Sequence, residues 1–448
     1  MGPFTNQDRD GDAWSPRPDA TLGVTRRTVL AAGAAGGTAL VLGGPSARAW
    51  PQATPNAQPA TPSARPASPA AVGGGESRVA QVGIDDLAGA GQPAAAGREL
   101  VAAVEGPLLV GVAVSASGRI FLNFPRWGDP VANTVAELRD GQVVPFPDDA
   151  FNRFDPRRPG DTLVSVQAVA IDALDRLWLL DTGSLNVQPV VPGGPKLVAI
   201  DLATDQIVQT IPVPPDVVVP TSSINDVRFD LSRGEACLAF ITDAAPLGPS
   251  AIITVDLASG RSWRRLVEQP SVKAEPNFIP IVEGEELVER IPGMPPRSIA
   301  PGVDGLAIDN DGACLFYSPL ASRRLYSVAT DPLAEEASEE DVAATIEDLG
   351  DKGSGADGLE CDAGGRVYIT QYETNAIARR TPEGQIEPLI ANPRLLWPDT
   401  MALAADGYLY FTAYQLHRQP RYYDGMDPRQ PPYPIFRFRV DAQPVRLA

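Results

Sequence analysis

The chain has 448 residues, 44% hydrophobic and 21% charged, with a formal net charge of −19. That apolar fraction suffices for a large core, while the excess of carboxylates repels phosphate backbones and argues against nucleic-acid binding. Three dispersed cysteines (Cys237, Cys314, Cys361) without CxxC spacing exclude a disulfide framework and a thiolate zinc site, and they read as free thiols buried in strands.

Residues 1–24 are polar and rich in Pro, Gly and Asp. Thr25-Arg26-Arg27-Thr28-Val29-Leu30 follows, then an Ala/Gly-rich apolar run to about Leu42 and a small-residue cleavage pattern at Ala47-Arg48-Ala49. This order is that of a secretory signal, and the paired arginines mark the twin-arginine type. The run is too short and glycine-rich to remain as a stable span. The expectation is export to a periplasmic or extracellular space, with no membrane attachment after cleavage. Residues 50–77, mostly Pro, Ala, Gly, Ser, Thr and Gln, read as a tether that cannot bury enough apolar surface to fold. The folded domain is then 78–448.

Within it one pattern recurs: a polar residue, an alternating apolar stretch, a turn, and an apolar strand. The copies are Val110–Leu122, Gln167–Leu180, Asn225–Phe240, Asp304–Tyr317, Asp357–Thr370 and Asp399–Thr412. Each reads as strand, tight turn, strand. Anchored on Ser115, Asp172, Asp230, Asp309, Asp362 and Ala404, the intervals are 57, 58, 79, 53 and 42 residues. A four-stranded blade takes roughly 40–50 residues, so the pattern predicts an all-β, six-bladed β-propeller. The longest interval carries an insertion near 268–303, a candidate lid. Residues 333–347 offer one short helix. The last strand, near Tyr433–Val440, is expected to pair beside the N-terminal strand and close the ring, hiding the sheet edges. His417, the sole histidine, excludes a mechanism with two imidazoles and reads as a surface residue.

Several segments resemble the Yellow/major royal jelly protein family in the family's order. They are Phe124-Pro125-Arg126-Trp127, Asp175–Gly183, Pro195–Leu202, Ile224-Asn225-Asp226-Val227, Tyr317-Ser318-Pro319-Leu320 with Leu325-Tyr326, and Trp397-Pro398-Asp399-Thr400 followed by Gly407-Tyr408-Leu409. With a twin-arginine signal the chain would be a bacterial member. The resemblance implies a secreted six-bladed propeller. Family relatives are linked to pigmentation, royal jelly and amine binding, and some to dopachrome conversion. A propeller scaffold hosts many functions, so the resemblance leaves the chemistry open.

Five residues before each anchor stand Val110, Gln167, Asn225, Asp304, Asp357 and Asp399. Innermost strands line a propeller's channel, so these positions are expected to converge at one mouth. Oxygen donors without thiol or imidazole suit a hard cation, Ca²⁺ or Mg²⁺, with Asn225, Asp304, Asp357 and Asp399 as ligands. The pattern also resembles lactonase/regucalcin-type propellers, but a glutamate at the early-blade positions is missing. The simpler reading is structural: Asp-Gly pairs form turns and aspartates cap strand starts. Two functions stay open. One is a metal-assisted lactonase-like hydrolase with Asp304 or Asp357 as ligand or general base. The other is a non-catalytic pocket for an amine or catechol, with Gln167, Trp178, Tyr372 and Trp397 along its wall; tautomerase chemistry rests on the resemblance alone. The partner is a small molecule and the protein a monomer.

Overall fold

The computed structural model describes residues 75–83, 97–187, 189–233 and 237–448. The expected signal and nearly all of the expected tether lie outside the described residues. Six antiparallel sheets follow one another along the chain, five with four strands and one with five. Their first strands are Gly111–Val114, Val166–Ile171, Ile224–Asp230, Val303–Ile308, Leu359–Cys361 and Pro398–Leu403. Each of these touches its counterparts in the two neighbouring sheets, and the sixth returns to the first. This is the expected six-bladed propeller, with the first strands around the axis.

Closure is by exchange of strands between the chain ends. Arg98–Glu105 adds to Tyr433–Arg439 as the fourth strand of blade 6, with Leu100 opposite Phe436, and Arg78–Val79 adds a fifth. The other five sheets are each built from consecutive strands, so blade 6 is where the ring is closed.

The recurring anchor aspartate has a local cause. Asp172 Oδ1 accepts from the backbone N–H groups of Leu174 and Arg176, while Oδ2 takes the Arg176 guanidinium and the Trp178 indole. Asp362 repeats the arrangement with Gly364, Arg366 and Tyr368. One short side chain thus satisfies the turn donors and ties the turn to its second strand.

Apolar burial lies at the six seams between blades. At the seam of blades 2 and 3, Trp178 stacks on Phe229 with centroids 4.9 Å apart. The insertion forms two small hairpins, Ile281–Val282 with Glu285–Glu286 and Val288–Glu289 with Arg297–Ser298. Its Phe278, Val282, Leu287 and Ile299 sink into the seam of blades 6 and 1, beside Val110, Trp397 and Tyr414. The helix expected within 333–347 is two single turns, Thr330–Ala334 and Glu339–Ala343.

Two expectations are corrected. His417 is a buried residue: its ring stacks on Trp397 and its Nε2 lies 2.7 Å from Glu283 of the insertion. The thiols are free, but only Cys361 is buried: Cys314 is half-buried at the start of its strand, and Cys237 is half-buried just ahead of the strand Leu238–Asp243, where its φ of 44° breaks the extended run.

Candidate functional site: an acidic neck in the central channel

The repeat positions converge. Val110, Gln167, Asn225, Asp304, Asp357 and Asp399 line a single cavity of about 20 Å³ on the axis, together with Asp226, Arg228 and Thr400. That volume holds about one water molecule or a bare ion. Register irregularities aim the side chains. The first strand of blade 2 shifts register between Val166 and Ala168, and that of blade 3 between Ile224 and Val227. Blade 4 shifts between Val303 and Gly305, and blade 6 between Pro398 and Met401. The skipped residues, one each in blades 2 and 4 and two each in blades 3 and 6, all line the neck, the re-aiming for which β-bulges are known.

Asp304-Gly305 and Asp357-Gly358 are not turns; the glycines serve close packing. A Cβ on Gly305 would sit 2.5 Å from the carbonyl oxygen of Asp357, and one on Gly358 would sit 2.3 Å from that of Asp399. Successive first strands therefore approach backbone to backbone, which brings three carboxyls to one point.

The neck groups form an arc of contacts. Gln167 Nε2 donates to Asn225 Oδ1 at 2.9 Å. Asn225 reaches Asp304, and Asp304 and Asp399 each come within hydrogen-bonding reach of Asp357. Asp357 Oδ2 also accepts from Trp397 Nε1 and, at 3.0 Å, from the Tyr414 hydroxyl. Burial and the neighbouring carboxylates push Asp304 and Asp399 well above the usual carboxylate range. Asp357 is pushed up to about 6, chiefly by burial, with the two aromatic donors pulling the other way. Three carboxyls this close share protons unless a cation takes their place.

Trp397 is placed by an uncommon backbone. Its φ is 63°, a conformation a bulky residue rarely adopts and which costs about 1–3 kcal/mol. The indole is wholly buried, stacked on Tyr372 with centroids 4.0 Å apart. Tyr372 in turn donates to the Leu320 carbonyl. Tyr372 and Trp397 therefore stand behind the neck as a rigid backing rather than as a ligand-contacting wall. Trp178 is not at the neck; it belongs to the seam of blades 2 and 3, where its indole satisfies Asp172.

The sequence reading missed Asp226, which adds a fourth acid to the cavity. It stands in the same two-residue bulge as Asn225 and so faces the axis as well; the Asn-Asp pair at a bulge-prone strand start was the available signal. Its Oδ1 takes Arg228 and the Val227 N–H, and its Oδ2 the Leu306 N–H. Also missed was the lower channel, a cavity of about 90 Å³ lined by Arg228, Glu360, Asp172 and the tail Pro444–Leu447.

The donor set suits a hard cation in kind: carboxyl and amide oxygens, with no thiol or imidazole. Among the described residues no group of three or more His, Cys, Asp or Glu side chains is already spread so as to hold a metal ion. The carboxyls instead contact one another, so a cation would enter by replacing the protons between them.

A six-bladed propeller with an acidic neck is thus the class of protein defined by fold and site. The family model of the major royal jelly proteins matches residues 164–445, more than half of the chain, and the chain belongs to that family. Among curated relatives, major royal jelly protein 1 of Apis mellifera is 29% identical over 227 residues, covering 48% of each chain. Protein yellow of Drosophila subobscura is 26% identical over 253 residues, 53% of this chain and 42% of that one. Each match thus spans less than half of the relative's own length. Among solved structures, a gluconolactonase from Xanthomonas campestris is 13% identical, covers 75% of this chain and 86% of its own, and has a TM-score of 0.45. A calcium-binding regucalcin from Agrobacterium tumefaciens is 16% identical, covers 79% and 96%, and has a TM-score of 0.47.

Proposed function

We propose that this chain is an exported small-molecule protein whose channel neck exchanges shared protons for one divalent cation, Ca²⁺ or Mg²⁺, held by Asn225, Asp304, Asp357 and Asp399. The observation that carries this reading is the meeting of three buried carboxyls at one cavity of ion size, with no basic side chain spent on them: Arg228, the one cation lining the cavity, is engaged by Asp226 and lies near Glu360. A cation there would supply Lewis acidity toward a lactone-type carbonyl. Asp304 is the better candidate base, since Asp357 Oδ2 is committed to Trp397 and Tyr414. The neck is too small for an organic substrate as it stands, so the insertion packed above it must yield to admit one.

Metal analysis of the purified protein, with a thermal melt in Ca²⁺, Mg²⁺ and chelator, tests the reading. A stoichiometric cation and a melting point that rises with it in the unaltered protein but not in Asp304→Asn support it. A protein that carries no cation and melts identically in all three buffers rules it out. Hydrolysis of small lactones by the loaded protein, lost in Asp304→Asn, tests the catalytic step separately.

The commitment of Asp357 favours one second reading, a non-catalytic site in which the fixed carboxyl orients an amine. Calorimetry with amines and catechols, repeated on Asp304→Asn and Asp357→Asn, distinguishes it. The export part of the proposal is checked by N-terminal sequencing of secreted protein, which should begin just after Ala49.

A further inference from the structure

Away from the neck, a second cavity opens among loops on the same face. First strands begin at the neck face and second strands return to it, so the loops after second strands gather there with the insertion. Segments of blades 2, 3 and 6 and of the insertion enclose a cavity of about 340 Å³, within the range of small-molecule sites. Its lining joins apolar surface to charge. Leu247 is 68% exposed there, and Ile299 and Tyr422 add apolar wall. Glu289 and Arg297 pair with each other.

Arg421 differs from them. It makes no ion pair among the described residues, and its buried Nε has no hydrogen-bond partner. Its guanidinium carbon lies 4.9 Å from the centroid of the Tyr422 ring. Two arginines against one glutamate leave the lining with one net positive charge, in a chain whose formal net charge is −19. An isolated cation beside exposed apolar surface attracts a ligand with the opposite combination. The apolar wall would take the body of the ligand and Arg421 its anionic head.

We propose that this cavity is a binding site for a small organic carboxylate with an apolar body, distinct from the channel neck.

Titration calorimetry with hexanoate and phenylacetate, against hexylamine and benzyl alcohol, tests it. Both carboxylates should bind saturably and the amine and alcohol should not. Arg421→Gln should weaken the carboxylates at least about tenfold, the loss expected for one charge-assisted contact. Leu247→Asp changes only an exposed side chain and should weaken them similarly with an unaltered melting point. Asp304→Asn should leave carboxylate affinity unchanged, which separates this site from the neck. The proposal is overturned if the unaltered protein shows no saturable carboxylate binding, if hexylamine binds as well, or if neither Arg421→Gln nor Leu247→Asp shifts the affinity.

Discussion

The two ends of the channel solve the burial of charge in opposite ways. At the neck, Asp304, Asp357 and Asp399 face one another, and the groups that donate to them are amide and aromatic. Where the neck passes into the lower cavity, both lined by Asp226 and Arg228, the arginine is flanked by Asp226 and Glu360, its Nη1 reaching Asp226 at 2.6 Å. The lower mouth is then sealed by the chain's own tail: Leu447 accepts from the Leu231 N–H, Gln443 from the Ala363 N–H, and Arg446 donates to the Asp172 carbonyl. The lower carboxyls are compensated by an arginine, whereas the neck carboxyls meet no basic partner and hold protons instead.

If that contrast is right, the largest stability effect comes from the lower end. Arg228→Met leaves the half-buried Asp226 and Glu360 without their cation, and should lower unfolding free energy by about 3–4 kcal/mol, the lower end of the range for a buried pair, in a urea titration. A loss within experimental error would mean that the lower carboxyls are not compensated by Arg228 at all.

Next is removal of residues 443–448, which deletes the three hydrogen bonds above, a fourth from Gln443 Nε2 to the Ala405 carbonyl, and the part-buried Val445 and Leu447. A loss of about 3 kcal/mol is expected, with faster hydrogen exchange at Leu231 and Ala363. Unchanged exchange at those amides would show that the tail does not seal the lower mouth.

The neck should respond with the opposite sign. Asp304→Asn removes a like charge, so in chelator at pH 8 it should raise stability, on the order of 1 kcal/mol. The pH dependence follows the same logic. A carboxyl whose folded pKa is raised holds its proton in the folded state after the unfolded chain has released it. Its contribution is full below the unfolded value near 3.8 and is lost as pH rises through the folded value, about 6 for Asp357 and well above the usual carboxylate range for its two partners. Cation-free protein should therefore melt lower at pH 8 than at pH 5 by way of these groups, and the difference should shrink in Asp304→Asn. A melting point that does not fall over that range, or falls equally in the variant, breaks the contrast.

The smallest effect is expected at the latch over the neck. Glu283 accepts from His417 and from Arg418, and its pKa is pulled down to about 2, first by the His417 bond. Burial lowers the pKa of His417, which suits a neutral ring donating from Nε2. Glu283→Gln should cost about 1 kcal/mol or less at pH 7. Because the folded pKa is depressed, that contribution is present above the unfolded value of 4.5 and fades as pH falls through it toward 2. Faster amide exchange confined to the insertion would identify it as a separable lid; no change would tie it to the ring.

Much of the fold was legible because propeller blades repeat. The spacing of hairpins recurs six times, and the capping aspartates at Asp172 and Asp362 follow from the local chemistry of the repeat, whereas the strand exchange near Tyr433 occurs once and was legible as the closure that a ring requires. The neck was legible for the same reason: one register position, counted from the anchors, placed Gln167, Asn225, Asp304, Asp357 and Asp399 together. The family-like motifs divide accordingly. Trp397-Pro398-Asp399-Thr400 and Asn225-Asp226 build the neck, whereas Arg126 of the first motif donates to the carbonyls of Val164 and Asn152 and fastens blade 1 to blade 2. Nothing local distinguished Trp178 from Trp397, and only placement made one a seam residue and the other the support of Asp357.

The sequence by itself therefore determined what is periodic: the number of blades, the turns, and the oxygen donors that share the axis at one repeat position, because a side chain's direction in a repeated strand is set by its place in the repeat; Asp226, one position off that register, was not among them. Only the tertiary structure decided what depends on segments that do not repeat. The insertion came to rest on His417, the tail crossed beneath Arg228, and a cavity whose Arg421 has no ion-pair partner among the described residues opened among loops of three blades. Such contacts join residues more than a hundred positions apart through loops of no common pattern, so their partners are chosen by packing and charge in the assembled ring.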